Sequence, residues 1–91
     1  MKQEAKQMIA NYVDSHREEM LSLWQEVVNM DSGSGYKAGI DAVALRFQQV
    51  LDGEGASTRI VEMEKAGNML IGEVGADRSK PAVVFMGHMD T

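Results

Sequence analysis

At 91 residues the chain is one small domain or a portion of a larger one. Its composition, 44% hydrophobic and 25% charged, is ordinary for a globular protein, and a net charge of −5 excludes the basic footprint that nucleic acid or an anionic membrane surface requires. Cysteine is absent, which excludes disulfides and thiolate chemistry and restricts any metal site to His, Asp and Glu.

The opening stretch, Met-Lys-Gln-Glu-Ala-Lys-Gln, lacks the apolar core of a signal peptide, and no apolar run approaches membrane-spanning length. A cytoplasmic location is the expectation. From about residue 4 to residue 28 apolar side chains recur at helical spacing, with Met8, Ile9, Tyr12, Val13, Met20, Leu23, Trp24, Val27 and Val28 on one stripe. The ladder 8–12–16–20–24–28 is interrupted only by His16, and neither Gly nor Pro intervenes. One long amphipathic helix is predicted. Asn29-Met30-Asp31-Ser32-Gly33-Ser34-Gly35 breaks it with turn-forming residues. A second helix is predicted from about residue 39 to residue 51, with Ile40, Val43, Ala44, Phe47, Val50 and Leu51 on one side and Gly53 and Gly55 suited to its end.

After Gly55 the period shortens. Thr58-Arg59-Ile60-Val61-Glu62 reads as a strand, Lys65-Ala66-Gly67-Asn68 as a turn, and Met69-Leu70-Ile71-Gly72-Glu73-Val74 as a second strand. Residues 75–80 form a polar loop, and Pro81 opens a third strand, Ala82-Val83-Val84-Phe85-Met86, which is apolar enough to be buried on both faces. The predicted architecture is α/β: two N-terminal helices followed by three strands, with too few helices to cover such a sheet.

The third strand runs into Gly87-His88-Met89-Asp90-Thr91. On an extended backbone, residues two apart share a face. A neutral imidazole at His88 can ligate a metal while the Asp90 carboxylate fixes its tautomer and orientation. A catalytic zinc needs three protein ligands plus water, and hydrolysis needs a carboxylate base, so these two residues make at most part of a site, and spacing alone favours the simpler reading of a partly exposed His and Asp at a frayed end.

Other patterns yield to simpler readings. Gly33-Ser34-Gly35-Tyr36-Lys37-Ala38 matches the dinucleotide fingerprint G-x-G-x-x-G/A, with Asp52 and Glu54 at a ribose-contact distance, but that motif must follow a strand. Ser34 is no nucleophile elbow, because Ser32 occupies a position that must be glycine. His16 reads as a ring packed at a core edge, Met8, Met20 and Trp24 as core filling, and Glu18, Glu19, Glu62 and Glu64 as solvated faces.

Four stretches together carry a likeness in order. They are Asp31-Ser32-Gly33-Ser34-Gly35, Gly39-Ile40-Asp41-Ala42-Val43-Ala44, Asn68-Met69-Leu70-Ile71-Gly72, and Val84-Phe85-Met86-Gly87-His88-Met89-Asp90-Thr91. The chain resembles the N-terminal part of the dinuclear zinc metallopeptidase family that includes glutamate carboxypeptidase, acetylornithine deacetylase, succinyl-diaminopimelate desuccinylase and peptidase T. The D-S-G-x-G loop is most similar to the glutamate carboxypeptidase branch.

The resemblance implies the beginning of a three-layer zinc-exopeptidase sheet domain, with residues 1–91 ending just past its first metal motif. It implies that His88 is the first metal ligand and that Asp90 is the catalytic-site carboxylate that orients it. Two Zn2+ per complete site are implied, and His plus carboxylate would also suit Co2+ or Mn2+. The implied activity is hydrolysis of peptides or N-acyl amino acids by metal-activated water, with the remaining ligands and the base located beyond residue 91. The chain alone is then expected to be inactive, to bind zinc weakly, and to self-associate through uncovered strand edges and helix faces. The alternative is a non-catalytic association module that retains only the start of the fold.

Overall fold

The structure, a computed structural model, describes residues 2–91 except Ala76, Arg78 and Pro81. It is mixed α/β. Three helices, α1 (Gln3–Ser15), α2 (Arg17–Val28) and α3 (Lys37–Gly53), precede an antiparallel hairpin of β1 (Ser57–Val61) and β2 (Met69–Glu73).

The predicted long helix is thus two, and the break falls on the one residue that interrupts the apolar ladder. His16 leaves helical geometry, with φ −110° and ψ 15°. The Tyr12 carbonyl accepts from the Ser15 hydroxyl at 3.0 Å and from the His16 ring at 2.8 Å, while that ring stacks on Tyr12 at a centroid distance of 3.8 Å. Side chains competing for a helical carbonyl bend the backbone. The interruption is local, because Met20 N–H donates to the His16 carbonyl and restarts the ladder at once.

α3 ends as its sequence requires. Ala56 N–H donates to the Leu51 carbonyl and Gly55 N–H to that of Asp52, the paired bonds of a Schellman terminus. Gly55 supplies the left-handed residue at φ +85°, while Gly53 remains helical. The chain then turns back, and β1 pairs with β2 in the register Ser57↔Glu73 to Val61↔Met69.

α3 packs against this hairpin and holds the only buried apolar side chains among the described residues: Ile40, Val43 and Ala44, the last 1% exposed. The approach is close at two glycines. A Cβ on Gly67 would collide with the Ile40 side chain, and one on Gly72 would meet Leu51 Cδ1 at 3.0 Å. α2 is tied to α3 by Arg46, whose guanidinium donates to both oxygens of Glu26, at 2.5 and 3.1 Å. These hydrogen bonds hold the Glu26 carboxyl below its ordinary value, against partial desolvation.

Neither α1 nor α2 contains a buried residue. Met8, Ile9 and Val28 are exposed, and Trp24 is 65% exposed, so the predicted apolar stripe exists but this chain does not cover it. The predicted third strand is the other departure. Pro81 lies outside the described residues, and residues 82–86 run outside the sheet, with Phe85 93% and Met86 92% exposed. The physical reason is the same for both: a doubly buried strand needs a layer on each face, and here one helix covers one face of two strands. The radius of gyration, 15.3 Å, exceeds the roughly 12 Å of a compact chain of this length.

Candidate functional site

The site is built where the chain's last residues meet the loop between α2 and α3. The loop has a firm base. Tyr36 N–H donates to the Gly33 carbonyl at 2.8 Å, closing a turn, and the Asp31 carbonyl lies against Gly39 in the first turn of α3. Only a residue without a Cβ allows that approach, since a methyl at Gly39 would overlap both the Asp31 carbonyl and the Tyr36 ring. The loop buries Ser32, which is 3% exposed.

Ser32 receives the tail. Its carbonyl accepts from Thr91 N–H at 2.9 Å, and its hydroxyl is 3.0 Å from Thr91 Oγ1. Two residues on, the Ser34 hydroxyl donates to Asp90 Oδ2 at 2.5 Å. The other carboxylate oxygen, Oδ1, is 3.1 Å from His88 Nδ1, which also lies 2.9 Å from the Asp90 carbonyl. Both partners of Nδ1 are acceptors, so Nδ1 is the donor and the neutral ring carries its lone pair on Nε2. Nε2 makes no hydrogen bond among the described residues, and the His88 side chain is 80% exposed.

The Ser34 hydroxyl is the largest influence on Asp90, holding its carboxyl below the ordinary value of 3.8. Partial desolvation opposes this, while the residue's own backbone amide and His88 add to the lowering. Asp90 is therefore an ionised, acceptor-only group at neutral pH.

Beside the pair is an open depression of about 230 Å³, lined by Ser34, Met89 and Asp90 on one side and by Ile40, Ala66, Gly67 and Asn68 on the other. The far wall is held by polar contacts. Lys37 Nζ donates to the Ala66 carbonyl at 3.0 Å and to Asn68 Oδ1 at 2.8 Å, and pairs with Asp41 at 3.0 Å. Asn68 Oδ1 also accepts from Met63 N–H, closing the hairpin loop.

The structure thus brings His88 and Asp90 together and adds Ser34, Ser32 and Thr91. The sequence reading gives Ser34 no part in the His88–Asp90 pair, because nothing local marks its contact with a residue 56 positions away. The donor chemistry suits one divalent ion ligand, the Nε2 of His88, with its orienting carboxylate in place. No group of three or more His, Cys, Asp or Glu able to hold a metal lies among the described residues, so the chain's own donors do not form a full coordination shell.

His16 is occupied at the α1–α2 break. The dinucleotide reading fails, because the glycine loop follows helix α2 and not a strand. Asp52 also lies near the far end of α3, about 22 Å along the axis from Lys37. Comparison with models of protein families, with curated proteins and with solved structures finds no match to this chain.

Proposed function

We propose that the chain is the opening segment of a metal-dependent exopeptidase or amide hydrolase of the dinuclear zinc metallopeptidase kind, acting on peptides or N-acyl amino acids in the cytoplasm. The observation that supports this most is the His88–Asp90 pair: a carboxylate on Nδ1 of a largely exposed imidazole whose Nε2 makes no hydrogen bond among the described residues. In the complete enzyme His88 holds one of two zinc ions, with Co2+ or Mn2+ as alternatives. When bound, such ions supply Lewis-acid polarisation of the scissile carbonyl and a lowered pKa for water. Asp90 keeps the imidazole in the ligating tautomer and raises its basicity. The remaining ligands and the general base come from outside residues 1–91, and residues 82–86 join the sheet as its third strand when the rest of the domain covers them.

The test is zinc binding by the chain and amide hydrolysis by its complete reading frame. Weak zinc binding that is lost in His88→Ala, together with zinc-dependent release of amino acids from N-acyl or peptide substrates, supports the reading. Submicromolar zinc binding that survives His88→Ala overturns it.

One observation favours a second reading, association without catalysis. The accessible surface, 7658 Å², is well above the roughly 5,200 Å² of a compact monomer of 10.0 kDa. The excess includes the apolar stripe of α1 and α2 and the side chains of residues 83–86. In isolation a second copy of the chain covers these faces; in a longer polypeptide the rest of the domain does. A stable monomer at high concentration, measured by light scattering, would count against the association.

A further inference from the structure

Residues 87–91, which carry His88 and Asp90, lie outside β1 and β2, and side-chain and backbone contacts with a neighbouring loop fix their placement. Among the described residues, their hydrogen bonds with the rest of the protein go to the loop between α2 and α3: Thr91 N–H to the Ser32 carbonyl, Thr91 Oγ1 to Ser32 Oγ, and Ser34 Oγ to Asp90 Oδ2. The first two hold the end of the tail. The third acts on the carboxylate itself.

An aspartate carboxylate rotates readily about its last bond, because that torsion is broad and roughly two-fold. Anchoring Oδ2 leaves Oδ1 to face the imidazole, and the observed arrangement has Oδ1 on Nδ1 at 3.1 Å. We propose that Ser34 is a positioning residue for the metal site: its hydroxyl aims the Asp90 carboxylate at His88 Nδ1, so that Nε2 is the ligand atom. This rests on the metal-hydrolase reading of His88 and adds to it the α2–α3 loop as the part that sets the geometry of the first ligand.

A nucleophilic role for Ser34 does not fit the same contacts. Its proton is directed at a carboxylate whose other oxygen already serves the histidine, and no imidazole accepts from Ser34. The loop is itself tied to α3. Gly39 allows the Asp31 carbonyl to seat on α3, and Ser32 is buried beneath the tail.

The experiment uses the 15N-labelled chain and three variants, Ser34→Ala, Ser34→Thr and His88→Ala. Long-range 1H–15N spectra at a pH where the ring is neutral report the His88 tautomer, with His88→Ala separating its signals from those of His16. Zinc titrations followed by the same signals and by calorimetry report affinity. The expected result is an Nδ1–H ring in the parent, a shift toward the Nε2–H form in Ser34→Ala, and recovery in Ser34→Thr, which retains the hydroxyl. Zinc affinity should fall roughly tenfold in Ser34→Ala, the lower end of the effect of removing an outer partner, and recover in Ser34→Thr. If His88→Ala abolishes zinc binding while Ser34→Ala changes neither tautomer nor affinity, the role of Ser34 is overturned and the metal reading stands. If zinc affinity is the same in His88→Ala, the metal reading itself falls. Ser34 is exposed and outside the Ile40–Val43–Ala44 core, so the amide spectrum of Ser34→Ala should remain that of a folded chain.

Discussion

The backbone N–H of Asn68 donates to Asp41 Oδ1 at 2.7 Å, joining the turn before β2 to the first turns of α3 across 27 positions of sequence. Asp41 Oδ2 meanwhile pairs with Lys37, whose Nζ reaches the Asn68 side chain. One carboxylate thus ties the hairpin to the helix, and the hairpin loop forms the far wall of the depression beside His88 and Asp90.

The first prediction is a pH dependence. The Asn68 N–H is the largest cause holding the Asp41 carboxyl below its ordinary value of 3.8, with Lys37 adding to the effect against desolvation. A carboxyl lowered by folding contributes stability that is fully present above 3.8 and is lost as pH falls through the lowered value. Asp41→Ala should therefore be less stable than the parent at neutral pH, and the difference should shrink once the parent's carboxyl is protonated. Urea unfolding of both proteins across the acid range reads this directly. A difference that grows on acidification would be the wrong sign.

Glycines that differ only in surroundings should respond oppositely to alanine. Gly39→Ala drives a methyl into the Asp31 carbonyl and should cost about 1–3 kcal/mol as overpacking. It should also loosen the α2–α3 loop and weaken zinc binding. Gly53 is helical with nothing within 4 Å of a Cβ, so Gly53→Ala should stabilise by about 0.5–1 kcal/mol. Denaturant midpoints of the two variants test the pair.

Core and apolar stripe should separate by concentration. Ile40→Ala removes one of the three buried apolar side chains among the described residues and should destabilise by about 2–5 kcal/mol at any protein concentration. Trp24→Glu changes an exposed side chain and should leave the α3–hairpin unit folded while reducing self-association. Sedimentation of the parent and of Trp24→Glu over a range of concentrations checks this; identical association would place the contact elsewhere.

Asp90→Asn keeps the shape of the side chain and removes its charge. Zinc affinity should drop by about 10–100-fold, as for loss of a carboxylate behind a metal-binding histidine. Calorimetric titration with Zn2+, with His88→Ala as the reference for complete loss, is the measurement.

Much of the local structure was legible. Periodicity located the α3 helix to within two residues at each end, and the shift to shorter period placed β1 and β2 to within one. His16 stood out as the gap in the apolar ladder, but a gap alone does not announce a break; the competing donors at the Tyr12 carbonyl make it one. The third strand shows the limit from the other side. Residues 82–86 have strand composition, yet composition states what a segment can bury and not whether a second layer is present.

The sequence by itself determined the spans of α3, β1 and β2, the Gly55 terminus and the closeness of His88 to Asp90, because each depends on residues a few positions apart and on local backbone periods. Only the tertiary structure decided that Ser34 holds Asp90, that Ser32 receives Thr91, that Asp41 pins Asn68, and that apolar burial among the described residues is confined to α3 where it meets the hairpin. Those contacts join residues 27 to 59 positions apart. They carry no periodic signal, since closing such loops is decided by which surfaces fit once the local elements exist.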